Sequence, residues 1–346
     1  MYVISLYRLL KLQGHSVTIY QFSYNKTILK YEDNFGSFNV IGLGNIPKKR
    51  YTENELKIGV DDFIEKSKDC DLRILLTINL AYKTMPKPTI SIFHGVYWNF
   101  QSESYKMPEW NENYLKRWTR HVDAICSVDT DCINLVRACY PKNISRMYYI
   151  PNFVDTLRFK PKEKKDDGIF RVIYARRINE LRGIHLYLRA AEELTAKYDN
   201  IQFDIVGHGL GNAEEQIKQW CKSHKNCNHM AFKNSEMHNV YPKYNLNVIP
   251  SVASEGLSLS MLEGMACGCA TLSTDVGGLP NANIPFYTGL MIRANEQQEL
   301  NDSIEWCYLH RDKTKEFGNN GYSVAQAFDI KIWKQRWLDL INKYID

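Results

Sequence analysis

Between residues 170 and 309 the sequence changes its hydrophobic period repeatedly. Short runs of strand composition, residues 170–175, 202–206, 246–250 and 268–273, alternate with longer amphipathic runs at 184–197, 213–223 and 297–309. Within 184–197, Leu186, Ala190 and Leu194 fall along one helical face. Glycine-bearing turns such as Gly207-His208-Gly209 join the runs. A chain that alternates strand and helix in this way can satisfy its backbone and bury its apolar faces only by laying parallel strands between layers of helix.

The first half carries the same rhythm less regularly. Residues 1–13 read as an amphipathic helix stopped by Gly14, and 16–20, 38–41, 73–78, 89–93, 124–128 and 147–150 read as strands. Residues 45–68 are polar and charged and contain a helix; 111–120 and 130–139 are further helices, the latter capped by Thr or Asp. Residues 160–168, rich in Lys, Pro and Asp, have linker composition. The expected organisation is an N-terminal Rossmann-like domain over 1–155, a second over 156–329, and a terminal amphipathic helix over 330–346, with Trp333 and Trp337, that crosses back to the first domain. The economical fold is α/β, with two doubly wound parallel-sheet domains facing a cleft.

Composition excludes several classes. A net charge of +5 over 346 residues, with basic residues scattered apart from Lys48-Lys49-Arg50 and 160–165, does not indicate nucleic-acid binding. It permits a peripheral contact with an anionic membrane. Nine cysteines without paired zinc-type spacing read as reduced, mostly buried thiols, which predicts a cytoplasmic location. No signal peptide is recognised, and no apolar run approaches the roughly 20 residues of a membrane-spanning helix.

Two turns carry the chemistry. In the first, Glu255 and Glu263 lie eight residues apart beside the start of a short apolar segment, between the strand before Pro250 and the one after Gly268. If a helix begins near Gly256, the two carboxylates are about 800° apart and face roughly the same side. A helix N-terminus presents free N–H groups, and carboxylates beside it accept hydrogen bonds from sugar or ribose hydroxyls. The bland alternative is an ordinary first-turn acid and a solvated helical glutamate. In the second turn, Arg177 and Arg182 follow strand 170–175 and could hold a diphosphate bidentately, neutralising a nucleotide leaving group without a metal. A solvated basic loop is the alternative there. His94, at the carboxyl end of strand 89–93 and followed by Gly95, stands where an open α/β sheet presents groups to ligand, although a lone histidine is commonly structural.

Taken together, Arg177-x4-Arg182-Gly183, Glu255-Gly-Leu-x5-Glu263-Gly-Met-Ala-x-Gly268 and Asp275-Val-Gly-Gly278 resemble the retaining GT-B glycosyltransferases of the family-4 type, the glycosyl transferases group 1. Ile150-Pro-Asn-x-Val-Asp155, Val206-Gly207-x-Gly209 and Gly14-His15-x-Val17 extend the resemblance over nearly the whole chain. It implies that Arg177 and Arg182 hold the donor diphosphate, Glu263 the nucleotide ribose and Glu255 the donor sugar. The backbone of Gly256, Leu257 and Ser258 would help at sugar and phosphate, Gly207 would belong to the donor site, and His94 would approach the sugar across the cleft. A nucleotide sugar would be the donor, and a glycan, lipid-linked or small-molecule hydroxyl the acceptor. The anomeric configuration would be retained, with no metal and no further cofactor. The departures are Arg182 for the usual lysine, Arg176 and Phe153 for glycines, and Asn281 for a common acid. The first strand and its glycine-rich loop are also expected to be missing ahead of the first helix. Loss of that loop leaves a second expectation open, a GT-B-fold protein that binds nucleotide sugar without turnover; an epimerase fits the glutamate spacing less well.

Overall fold

The computed structural model describes residues 2–22, 28–33, 36–43, 53–95, 119–164, 167–209, 211–253 and 255–345. The second half is a six-stranded sheet. It comprises β8 (Phe170–Ala175), β9 (Ile201–Val206), β10 (Cys227–Met230), β11 (Leu246–Ile249), β12 (Ala270–Thr274) and β13 (Gly289–Ile292). Their spatial order is β10-β9-β8-β11-β12-β13, and every pairing is parallel. The order reverses beside β8, so the loops after β8 and β11 diverge and leave a crevice at the carboxyl edge of the sheet.

Parallel strands need helices on both faces, and the central ones are buried throughout: β11 and β12 have no exposed residue. On one face α4 (Ile184–Lys197) contributes Leu186, Ala190 and Leu194 to a core completed by α5 (Ala213–Ser223) and α8 (Gln297–Leu309). On the other lie α6 (Met237–Val240) and α7 (Leu259–Ala266), with Met261, Leu262 and Met265 buried. Helix α9 (Arg311–Ala325) has no counterpart in the sequence reading. Its Gly318 and Gly321 argue against helix on propensity, but Gly318 lets α9 lie against the backbone: a Cβ there would come 2.4 Å from the Gly268 carbonyl oxygen.

The first half divides its strands between two sheets. Helix α1 (Tyr2–Leu12) leads to β1 (Ile19–Phe22), which pairs in parallel with β3 (Gly36–Leu43); β2 (Ile28–Asp33) pairs antiparallel with β3. After α2 (Glu53–Lys66), four parallel strands follow in order: β4 (Arg73–Leu75), β5 (Thr89–Phe93), β6 (Ala124–Ser127) and β7 (Met147–Tyr149). The sequence reading has no strand at 28–33, where Lys30, Glu32 and Asp33 obscure any apolar alternation, and it sets β1 about three residues too early. The helix expected at 111–120 lies outside the described residues up to 118. Among the described strands β1 pairs only with β3 and β4 only with β5, and both line an apolar cavity of 320 Å³ walled also by Leu6 and Leu10.

Helix α3 (Thr130–Cys139) starts where Asp129, in extended conformation, accepts hydrogen bonds from the Asp131 and Cys132 amides at 3.0 and 3.2 Å. Helix α10 (Ile330–Ile345) packs Trp333 and Trp337 against Tyr2, Leu6 and Leu9 of α1 and Ile90 and Ile92 of β5. Burial of side chains this large stabilises by about 1.5–3 kcal/mol each. Trp337 Nε1 donates to the Tyr2 hydroxyl at 2.9 Å, so the indole is buried without an orphaned donor. The two chain crossings run side by side: Ile330 N donates to the Val154 carbonyl and Val154 N to the Phe328 carbonyl, each at 2.9 Å.

Candidate functional site

The turn after β8 is shaped by Asn179, whose side chain accepts from Arg182 N at 3.0 Å and closes a 3₁₀ turn over Glu180–Arg182. Gly183 follows at φ +72°, and a Cβ there would lie 1.8 Å from the Pro250 carbonyl oxygen. Only glycine both adopts that backbone and allows the turn to lie on the end of β11. The guanidinium groups are thereby delivered to the segment that carries Glu255.

Glu255 is buried, with a relative exposure of 8%. Its Oε2 accepts from Arg182 Nη1 at 2.5 Å and from Ser251 Oγ at 2.7 Å, and it also pairs with Arg176 Nη2. Arg176 Nη1 in turn donates to Ser251 Oγ at 2.6 Å. Burial acts to raise the Glu255 pKa, but Arg176 and Arg182 outweigh it, so the carboxyl is held below its ordinary value. Burial depresses the pKa of Arg182, and the neighbouring Arg176 and Arg177 act in the same direction. Arg177 is exposed beside them.

The expected common helical face for the two glutamates does not form. Helix α7 begins at Leu259, with Ser258 extended at φ −69° and ψ 122°, so Glu255 lies in the loop ahead of it. Tertiary contacts with Arg176, Arg182 and Ser251 hold that loop instead. Glu263 does lie on α7, in an opposite environment. Burial raises its pKa to about 7, with the Tyr241 hydroxyl and the Arg158 charge acting against that rise. One carboxylate is thus locked in its ionised form and the other is poised near neutrality.

Across the crevice, the carboxyl ends of β5 and β6 meet the Glu255 loop. A Cβ on Gly256 would be 2.5 Å from the His94 carbonyl oxygen, and one on Gly95 would be 2.6 Å from Gly256 N. Two backbones are in contact there, and neither position admits a side chain without movement. The His94 ring meets that of Tyr2 at 5.0 Å with the two planes nearly perpendicular. Burial lowers its pKa, which favours the neutral imidazole. Asn152 Nδ2 donates to the Leu257 carbonyl at 2.6 Å. Asn281 bridges to Thr130, accepting from its amide at 3.0 Å and donating to its hydroxyl at 2.6 Å. Ser258 Oγ lies 3.0 Å from Ser260 Oγ, and Gly207 opens the loop in which the His208 carbonyl accepts from Ile178 N at 2.9 Å. Among the described residues no group of three or more His, Cys, Asp and Glu side chains could hold a metal ion.

The model of the glycosyl transferases group 1 family matches residues 155–324, the span that holds Arg176, Arg177, Arg182, Glu255 and Glu263. Those residues form a glycosyl transferases group 1 domain. Among curated relatives, the chain is 26% identical over 207 residues to D-inositol 3-phosphate glycosyltransferase of Arthrobacter sp. (strain FB24), covering 56% of this chain and 49% of that protein. The chain spans about half the length of the curated relatives it matches. The sucrose-phosphate synthase of Thermosynechococcus elongatus superposes with a TM-score of 0.78 at 17% identity, covering 99% of this chain and 92% of that one. The Anabaena protein HepE in complex with UDP-glucose superposes with a TM-score of 0.68 at 16% identity, covering 88% and 86%. The fold is GT-B.

Within the group 1 domain, Arg176 is the site residue that sequence reasoning placed outside the site. Its only signal was a large cation where resemblance implies glycine. Tyr241 and Arg158, which face Glu263, and Asn152, which reaches Leu257, carried no signal of that role in the sequence, because each meets its partner only through the tertiary fold. No described helix is long and apolar enough to cross a membrane.

Proposed function

We propose that this chain is a retaining glycosyltransferase that moves a sugar from a nucleoside-diphosphate donor to a hydroxyl of a glycan, lipid-linked glycan or small molecule. The observation that carries the reading is the meeting of Arg182 and Glu255, from two strand ends of the group 1 domain, directly opposite His94. In this reading Arg177 and Arg182 bind the diphosphate and neutralise the charge that grows on it as the anomeric C–O bond breaks. Guanidinium groups supply that neutralisation, so no metal or further cofactor is assigned. Glu255 accepts hydrogen bonds from the sugar hydroxyls. Gly256, Leu257, Ser258 and Gly207 offer backbone at close approach, and Glu263, with the Tyr241 hydroxyl beside it, accepts from the ribose. Neutral His94 holds the sugar from the far side. The acceptor hydroxyl enters on the face that the leaving group vacates and gives its proton to the departing phosphate oxygen, which preserves the configuration.

The partners assigned are therefore a nucleotide sugar and a hydroxyl-bearing acceptor, at a cytoplasmic or membrane-peripheral location. A screen of nucleotide sugars with product analysis by NMR tests this. An α-linked donor giving an α-linked product is expected; an inverted product refutes the retaining assignment, and failure to bind or turn over any donor refutes the whole reading. The divided N-terminal sheet favours a second reading, nucleotide-sugar binding without turnover. Calorimetric binding with neither transfer nor donor hydrolysis would select it.

A further inference from the structure

Glu255 has two cations where the proposed diphosphate needs one of them to leave. Three donors converge on its Oε2: Arg176, Arg182 and the Ser251 hydroxyl. The two arginines are not equivalent. Arg182 stands on the turn, with 19% of its side chain exposed, while that of Arg176 is 5% exposed and lies deeper, donating also to Ser251 Oγ at 2.6 Å, the hydroxyl that donates to Glu255. Ser251 is itself fixed, because its carbonyl accepts from Thr274 Oγ1 at 2.7 Å. Removing the only counter-ion from a buried carboxylate is strongly unfavourable. With Arg182 alone, diphosphate binding would have to leave Glu255 uncompensated or protonated.

On the proposed-function reading, we propose that Arg176 is a positioning residue that stays on Glu255 while Arg182 transfers to the incoming diphosphate. It keeps the carboxylate anchored through Oε2, leaving its other oxygen to accept from the donor sugar. Arg182 is then an exchangeable ligand of Glu255, and donor arrival replaces one salt bridge by another without stranding a buried charge. Other charged or titratable groups face Glu255 as well. Tyr174 on β8 lies within electrostatic reach of Glu255, Arg177 is on the same turn as Arg182, and across the crevice Asp129 packs against Gly278 and the His94 backbone against Gly256. Among the described residues none of these is bonded to Glu255, so loss of Arg176 leaves Arg182 as the directly paired cation there.

The test compares Arg176→Met, Arg176→Lys and the double variant Arg176→Met/Glu255→Gln with the parent, first for calorimetric binding of UDP, GDP and ADP. In Arg176→Met, Arg182 is retained by Glu255, and the nucleotide that the parent prefers binds about thirtyfold more weakly. In the double variant, where Glu255 no longer holds Arg182, that nucleotide recovers most of its affinity. The acid limb of kcat/KM for the donor moves to higher pH in Arg176→Met and returns toward the parent profile in Arg176→Lys. Parental nucleotide affinity in Arg176→Met overturns the inference, as does an equal loss in the single and double variants or a rate reduced by the same factor at every pH. If the parent itself binds none of the three nucleotides, the proposed function fails instead.

Discussion

Replacing Glu263 by Gln tests whether α7 carries a carboxyl that the fold keeps protonated. Burial lifts Glu263 from an ordinary value of 4.5 to about 7. Below pH 4.5 the group is protonated both folded and unfolded and contributes no pH dependence. Between 4.5 and 7 the folded protein holds a proton that the unfolded chain releases, so stability falls as pH rises, and above 7 the loss is complete. At about 1.4 kcal/mol for each pH unit between the two values, the full loss is about 3 kcal/mol. Gln keeps the shape, its carbonyl accepts from Tyr241, and it has no proton to lose. Urea titrations followed by circular dichroism at pH 5 and pH 8.5 should show the variant gaining about 2–3 kcal/mol on the parent between the two. Asp129, raised by burial to about 6, is present in both proteins and cancels from the difference. A difference that does not change with pH, or a variant that loses most at pH 8.5, refutes the reasoning. The second result would mean that Glu263 is ionised and held by Arg158.

Three further outcomes are expected. Glu255→Ala should abolish transfer yet leave nucleoside-diphosphate binding intact, while Arg182→Ala weakens the nucleotide by about 1.5–3 kcal/mol in calorimetry; equal losses in both would show that their roles are not divided. Gly256→Ala places a methyl 2.5 Å from the His94 carbonyl oxygen and 3.0 Å from Val128 Cγ2. It should cost about a hundredfold in kcat/KM by spreading the crevice, and a parental rate would show that the two backbones are not in contact during turnover. Gly318→Ala sets a helix-propensity gain of about 1 kcal/mol against a methyl 2.4 Å from a backbone carbonyl, where overpacking costs about 1–3 kcal/mol. The melting temperature should fall; a rise would mean that α9 shifts away without cost.

The elements most legible in the sequence are those whose identity is local. Strand β5 and helices α3, α4, α5 and α8 form over the residues where period and punctuation place them. Arg182 and Gly183 could be recognised as one end of a βα turn, since a glycine at positive φ and an asparagine that caps the turn are local requirements. Legibility ended where a residue's role depends on what lies opposite. Arg176 read as a departure from a small residue, yet it is the deeper of the two cations on Glu255. Helix α9 was invisible because two glycines lower its helix propensity, and one of them, Gly318, serves a close backbone contact.

Periodicity determined parallel α/β sheets, because apolar faces at regular spacing can be buried in few ways, and the order of the motifs pointed to the group 1 family. Only the tertiary structure decided that Glu255 lies outside the helix and Glu263 on it, with one carboxylate held ionised by two arginines and the other lifted to about 7. Both are glutamates in one short stretch, eight residues apart. Their protonation follows from desolvation and from charges brought by β8 and by the residues around Arg158 and Tyr241, and those distances exist only once the chain has folded.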